Sequence, residues 1–134
     1  MKKATNWRWM DNGDQTVTDQ NTGLTWTQGE TELMSWQEAL DYCQALVHAG
    51  FKDWRLPNRA ELQTLLNLSQ ETAPLINKRF FPAAFANYYW TSEPTDQVTT
   101  AFYVSFNSGT TGRRTKKRRN YVRAVRGQAT LKGA

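Results

Sequence analysis

The order of polar and apolar positions divides the chain into a strand-rich start, two helical segments and a strand-rich end. Between Trp7 and Trp26, Asp11-Asn12-Gly13-Asp14 and Asn21-Thr22-Gly23 are Asx and glycine turn signals around Thr16-Val17-Thr18, which predict strand, turn, strand. The acids at 11, 14 and 19 invite a calcium reading, but they miss the EF-hand spacing and its terminal Glu, so turn formation accounts for them better. Ser35-Trp36-Gln37-Glu38 is a capping box, in which hydroxyl and carboxylate satisfy free amides at a helix start. Behind it Trp36, Ala39, Leu40, Cys43 and Val47 recur at three and four residues, one apolar face of a helix, and Gly50 supplies a left-handed stop.

Phe51 to Pro57 is an extended segment ended by proline, and Asn58-Arg59-Ala60-Glu61 opens a second helix with Leu62, Leu65 and Leu66 inward. Thr72 to Pro82 is an irregular loop. Asn87 to Thr91, Ala101 to Phe106 and Tyr121 to Val125 are strands, the second alternating Phe102, Val104 and Phe106 against Ala101, Tyr103 and Ser105. The sum is an α+β pattern in a single domain spanning 1–134.

Length supports this, since a chain of 134 residues buries roughly 68–70% of the surface its unfolded form exposes. Trp7, Trp9, Trp26, Trp36, Trp54 and Trp90 supply large rings for a core with few aliphatic runs. No stretch approaches the ~18 apolar residues of a membrane span. Met1 to Trp7 opens with charge but lacks an apolar segment behind it, so it does not read as a secretory signal. The chain is expected either to stay inside or to be a module of a longer exported protein. Cys43 is the sole cysteine and His48 the sole histidine, which excludes an internal disulfide and a multi-cysteine metal site. Cys43 falls on the core-facing stripe, and His48 near the helix end is expected to be structural.

Charge changes the picture more than composition does. After Asp96 there is no acidic side chain, while Arg113, Arg114, Lys116, Lys117, Arg118, Arg119, Arg123, Arg126 and Lys132 follow. Six of these cations lie between Gly112 and Asn120, in a segment at 109–120 read as a solvated loop that stays mobile until something negative neutralises it. Solubility alone does not call for so dense a cluster of one sign.

Seven pieces in order resemble a bacterial family. They are Asp11-Asn12-Gly13-Asp14 with Val17-Thr18-Asp19, Thr22-Gly23-Leu24-Thr25-Trp26, and Trp36 through Cys43. The rest are Asp53-Trp54-Arg55-Leu56-Pro57-Asn58 with Glu61-Leu62, Phe80-Phe81-Pro82, Tyr89-Trp90-Thr91-Ser92, and Tyr121 through Gly127. The family is the bacterial domain of unknown function numbered 1566, typified by the C-terminal domain of the Legionella collagen-like adhesin. The resemblance implies a C-type-lectin-like fold, two helices flanking a small antiparallel sheet with a loop-rich half. It also implies a trimer binding sulfated glycosaminoglycans at a cell surface or in secreted form. Many members carry a second cysteine where this chain has Ala124. Glu93-Pro94-Thr95-Asp96 faintly echoes the calcium-sugar motif of C-type lectins, but its Trp-Asn-Asp partner is missing.

The expected function is therefore a non-enzymatic module for a sulfated polysaccharide or other polyanion, with no cofactor, no catalytic residues and no metal. Its binding residues are expected to be Arg113, Arg114, Lys116, Lys117, Arg118 and Arg119, with Arg123, Arg126, Tyr103 and Asn107 lining the same face. For Arg123 and Arg126 the competing account is an ion pair with an acid of the body, Asp53 or Glu61. Sulfate oxygens accept charge-assisted hydrogen bonds, bidentate from Arg and point-like from Lys. Nucleic-acid binding through the same loop is the alternative, without a groove-reading helix or base-stacking motif to favour it. A protein-binding scaffold using loops Glu93 to Thr100 and Asn107 to Asn120 is a third. An enzyme fits least, since neither a cysteine pair for copper oxidation nor a Gly-x-Ser-x-Gly elbow is present.

Overall fold

The computed structural model describes residues 4–129, Ala4 and Thr5 by backbone only, so Lys132 lies outside the described residues. Strands β1 (Ala4–Thr5), β2 (Trp9–Asp11), β3 (Thr16–Asp19) and β4 (Thr25–Thr27) come first, then helices α1 (Trp36–Ala45) and α2 (Arg59–Gln63). Strands β5 (Tyr88–Pro94), β6 (Thr100–Ser105), β7 (Thr111–Thr115) and β8 (Val125–Arg126) complete the order. The α+β class holds, with two antiparallel sheets: β1-β2-β3-β4-β8 and β5-β6-β7.

The first sheet is folded by its turn residues. Asp11 Oδ1 accepts from Gly13 N at 2.9 Å, Asp14 Oδ1 from Thr16 N at 3.1 Å and Asp19 Oδ1 from Asn21 N at 3.0 Å. These carboxylates thus close Asx turns that bring β2, β3 and β4 side by side. The closing strand comes from the far end of the chain, with Trp26 opposite Val125 and Thr25 opposite Arg126.

This last strand is shorter than the sequence predicts and begins later. Between Tyr121 and Val125 the backbone turns to other partners: Val122 N donates to Thr31 Oγ1 at 3.2 Å and Ala124 N to Thr27 Oγ1 at 3.2 Å. Threonine hydroxyls thereby replace a strand ladder there, and only Val125–Arg126 pairs regularly.

Helix α1 starts as its capping box predicts, with Glu38 N donating to Ser35 Oγ at 3.3 Å and Ser35 N to Glu38 Oε1 at 2.9 Å. It stops at Ala45, well short of Gly50, because residues 48–51 form a tight hairpin of their own. His48 and Phe51 exchange backbone hydrogen bonds across Ala49 (φ 54°) and Gly50 (φ 82°), two left-handed corners in succession. Val47 is thus expelled from the apolar stripe and exposed, whereas Ala39 and Cys43 remain buried. His48 keeps a structural place, its Nε2 3.1 Å from Gln15 O and its ring edge-on to Trp54. Helix α2 is a short turn capped reciprocally by Asn58 and Glu61, with Leu62 and Leu65 buried.

Strands β5 and β6 bury apolar residues on both faces of the sheet, which is why they carry runs of large residues, whereas β7 buries none. Tyr89, Val104 and Phe106 join Leu62, Leu65, Phe80, Phe81 and Trp26 in one core cluster. Trp90 and Ala101 join Ala39, Cys43, Trp54, Leu56, Val122 and Ala124 in a second. Ala124, where the resemblance places a second cysteine, therefore packs in the same cluster as Cys43. Four tryptophans are core residues, Trp36 is half-buried, and Trp7 stands 81% exposed, contrary to its predicted role as a core ring.

Burial pushes the Cys43 thiol up to about 12, so in the folded protein it stays neutral and enclosed. A thiol-specific reagent at pH 8 is expected to leave the native protein unlabelled and to label it stoichiometrically in denaturant. The sign of the pH dependence follows: the unfolded thiol ionises near its ordinary 9 and the folded one near 12. The Cys43 contribution is complete below 9 and lost as pH climbs toward 12. Denaturant melts of wild type and Cys43→Ala across that window measure it, the variant lacking this component of the decline.

Candidate functional site

The basic segment is built differently from its predicted loop. Thr111–Thr115 is strand β7, the edge of the three-stranded sheet, and only residues 116–119 form the turn behind it. Alternation of Thr, Gly and Arg on a strand sends successive side chains to opposite faces. Arg113 and Arg114 are accordingly separated by the sheet rather than pooled in one cluster.

On the α2 side, Arg113 pairs with Phe102 across the strands and its guanidinium lies 5.4 Å from that ring centroid. Arg59 approaches the same ring at 4.0 Å. Arg113 Nη1 also donates to Asp96 at 3.2 Å, a pair with both partners exposed and hence a weak one. On the other face, Arg114 lies 5.0 Å over the ring of Tyr88, which stacks on Tyr103 at 4.2 Å. These two tyrosines line a shallow concavity of about 550 Å³ with Gln97, Thr100, Arg113, Arg114, Thr115 and Arg118.

The turn is held at both ends. Lys116 Nζ donates to Val98 O at 2.8 Å and sits 4.5 Å over the Trp36 ring, and Lys116 O accepts from Trp36 N at 3.0 Å. Asn120 and Met34 exchange two backbone hydrogen bonds at the far end. Lys117, Arg118 and Arg119 are exposed between these anchors, and among the described residues the Lys117 and Arg118 side chains make no hydrogen bond or ion pair. Arg119 acts at longer range: Ser35 holds the Glu38 carboxyl below its usual range, with a smaller push from the charge of Arg119.

Two of the predicted binding residues are displaced from this surface. Arg123 is buried, donating to Thr27 O at 2.5 Å, Gln28 O at 3.1 Å and Gly29 O at 3.3 Å, and ion-paired to Glu30. Its partners sit more than ninety residues upstream, and it also lies 4.7 Å over the Phe81 ring. Arg126 belongs to the other sheet, where it grips Asp53 with two hydrogen bonds of 2.7 and 3.0 Å and covers Phe51 at 3.6 Å. That bond is the first cause of the lowered Asp53 pKa, and it matches the competing expectation of a body acid. Asn107 is exposed but sits at the β6–β7 turn, the opposite end of the strands from Lys116 to Arg119. Tyr103 stays with the cluster.

Tyr88 and Gly112 were missed. A glycine inside a strand marks a close approach, but the segment reads as a loop, and Gly112 faces Tyr103 only once β7 is paired to β6. A Cβ at residue 112 would lie 2.5 Å from Tyr103 Oη.

No helix among the described residues is long and apolar enough to cross a membrane. No group of three or more His, Cys, Asp or Glu among them is placed to hold a metal ion. What remains is a small α+β domain of two antiparallel sheets that presents cations on the edge strand β7 and its following turn, beside Tyr88 of β5 and Tyr103 of β6. The chain belongs to the Lcl C-terminal domain family, whose model matches residues 15–126. The match covers five of the seven pieces in full; it starts just after Asp11-Asn12-Gly13-Asp14 and ends one residue short of Gly127. No curated protein matches the chain.

Replacing Arg123 by Ala leaves the Glu30 carboxylate buried without its counter-charge, a loss expected to cost about 3–5 kcal/mol. Denaturant unfolding checks this. Arg126→Ala, which removes a partly exposed pair, is expected to cost no more than about 1 kcal/mol.

Proposed function

We propose that this domain is a non-enzymatic binding module for polyanions, with sulfated glycans as its ligand class, displayed at a surface in the manner of an adhesin. One observation carries the reading: Arg114, Lys117, Arg118 and Arg119 are set on or directly behind an edge strand without a carboxylate bonded to any of them. Such a row repels itself and is relieved by a chain of negative groups. The packing of α1 on β5 and of α2 on β5 and β6 supports a C-type-lectin-like fold with helices on either side of the small sheet. In a trimer, three such rows would add by avidity.

The minimum expected footprint is four contacts, from the cations whose side chains have no hydrogen-bonded partner among the described residues, Arg114, Lys117, Arg118 and Arg119; Arg113 is held only by its weak pair to Asp96 and Lys116 is bonded to Val98. With a salt slope of about 0.9 per contact, affinity is expected to drop roughly 100-fold between 50 and 200 mM salt. Heparin titrations at several salt concentrations measure the slope. Replacing Arg114, Lys117, Arg118 and Arg119 together by Gln is expected to abolish retention on heparin while leaving circular dichroism and thermal unfolding unchanged. Retention that survives this variant sinks the reading. Duplex DNA that competes with heparin on equal terms, at equal charge density and salt, moves the assignment from glycan to nucleic acid.

A further inference from the structure

Charge density draws a polyanion to a surface but does not orient any one of its anionic groups. One cation of the row is held differently from the rest. The register places Tyr88, Tyr103, Gly112 and Arg114 on one face of the β5-β6-β7 sheet, with Tyr103 opposite Gly112 and Arg114 opposite Ala101. Because residue 112 lacks a Cβ, the Tyr103 ring settles against the strand; a Cβ there would meet Tyr103 Oη at 2.5 Å and Cζ at 2.7 Å. Tyr88 stacks on Tyr103 at 4.2 Å with 23° between the planes, and the Arg114 guanidinium covers Tyr88 at 5.0 Å. Glycine, two rings and a guanidinium thus form a layered support built up from the edge strand.

We propose that Arg114 is the anion-orienting residue of this surface, its guanidinium fixed by the Tyr88–Tyr103 stack to take one sulfate ester of the glycan through two parallel N–H donors. The proposal rests on the polyanion-binding reading and adds to it which cation discriminates and why. A guanidinium lying over a ring keeps the N–H groups of its rim free, and the ring restricts its rotamers before the ligand arrives. The other cations lack this combination. Lys116 is engaged with Val98 O, Arg113 with Asp96, and the Lys117 side chain has no partner to fix it. Arg118 lines the same concavity and supplies a second positive charge to the bound group. Burial first, and Tyr88 next, hold the Tyr103 phenol above its ordinary range, so Tyr103 presents no phenolate to Arg114 at neutral pH.

The distinguishing measurement is heparin affinity against salt for wild type, Arg114→Lys, Gly112→Ala and Lys117→Gln, each checked for fold by near-ultraviolet circular dichroism. Arg114→Lys keeps the charge and loses the fork; Gly112→Ala keeps every charge and pushes the Tyr103 ring off its seat. Both are expected to weaken binding about tenfold at fixed salt, the worth of one charge-assisted hydrogen bond, with the salt slope unchanged. Lys117→Gln is expected to reduce the slope by about one unit. If Arg114→Lys binds within twofold of wild type while wild type binds heparin, the orienting role is refuted and the polyanion reading stands. Absence of wild-type binding at low salt overturns both. Should Gly112→Ala misfold, Arg114→Lys decides alone.

Discussion

The buried guanidinium of Arg123 is the polar tie beside the apolar core that the two sheets share, linking the end of β4 to β5. It sits next to β8, takes the carbonyls of Thr27, Gln28 and Gly29 where β4 ends, and pairs with Glu30. Glu30 in turn accepts from the Tyr89 hydroxyl of β5, and Tyr89 Oη accepts from Phe85 N at 3.1 Å. One cation thereby gathers three carbonyls and a carboxylate whose side chain is nearly enclosed. A buried pair of this kind contributes modestly against an apolar replacement, yet half of it cannot be removed cheaply. Both halves must be kept for the segment after β4 to lie where it does. The paths of β5 and of the Phe80–Phe81 stretch depend on that segment, since the same guanidinium lies over Phe81 and Gln28 Nε2 donates to Phe80 O at 2.9 Å.

What the sequence made legible was local. The Ser35–Glu38 capping box, the opening of α2 at Asn58 and the Asx turns are set by residues within a few positions of one another, and all are present; of the three leucines expected inward, Leu62 and Leu65 are buried and Leu66 is half-buried beyond the end of α2. What it concealed was non-local. The partners of Arg123 lie more than ninety positions away, at Thr27 to Glu30, and that pairing leaves no mark in the neighbouring residues, whereas charge alone makes Asp53 a candidate partner of Arg126. Charge density also masked regularity: six cations read as a loop, although Thr111 to Thr115 is a strand paired from Thr111 to Thr115 along β6. Threonine and a cross-strand aromatic outweighed the self-repulsion there, because alternate side chains leave on opposite faces.

This division of the basic segment separates roles that composition merges. One arginine balances an acid and buttresses Phe102, one lysine fastens the turn to the hairpin before it, and a further arginine is seated on rings. Only what is left over behaves as free charge. The anchored ends of the turn, at Lys116 and Asn120, keep those remaining cations on a short leash, so ordering them around a ligand costs less than ordering a long loop would.

Cys43 is the only sulfur in the chain able to form a cross-link, and it is enclosed between α1 and the Trp90 side of the sheet. The folded domain is therefore indifferent to the thiol–disulfide balance around it. It can assemble under reducing conditions and operate under oxidising ones without any covalent change, and its copies have no exposed thiol through which to become tied together by oxidation.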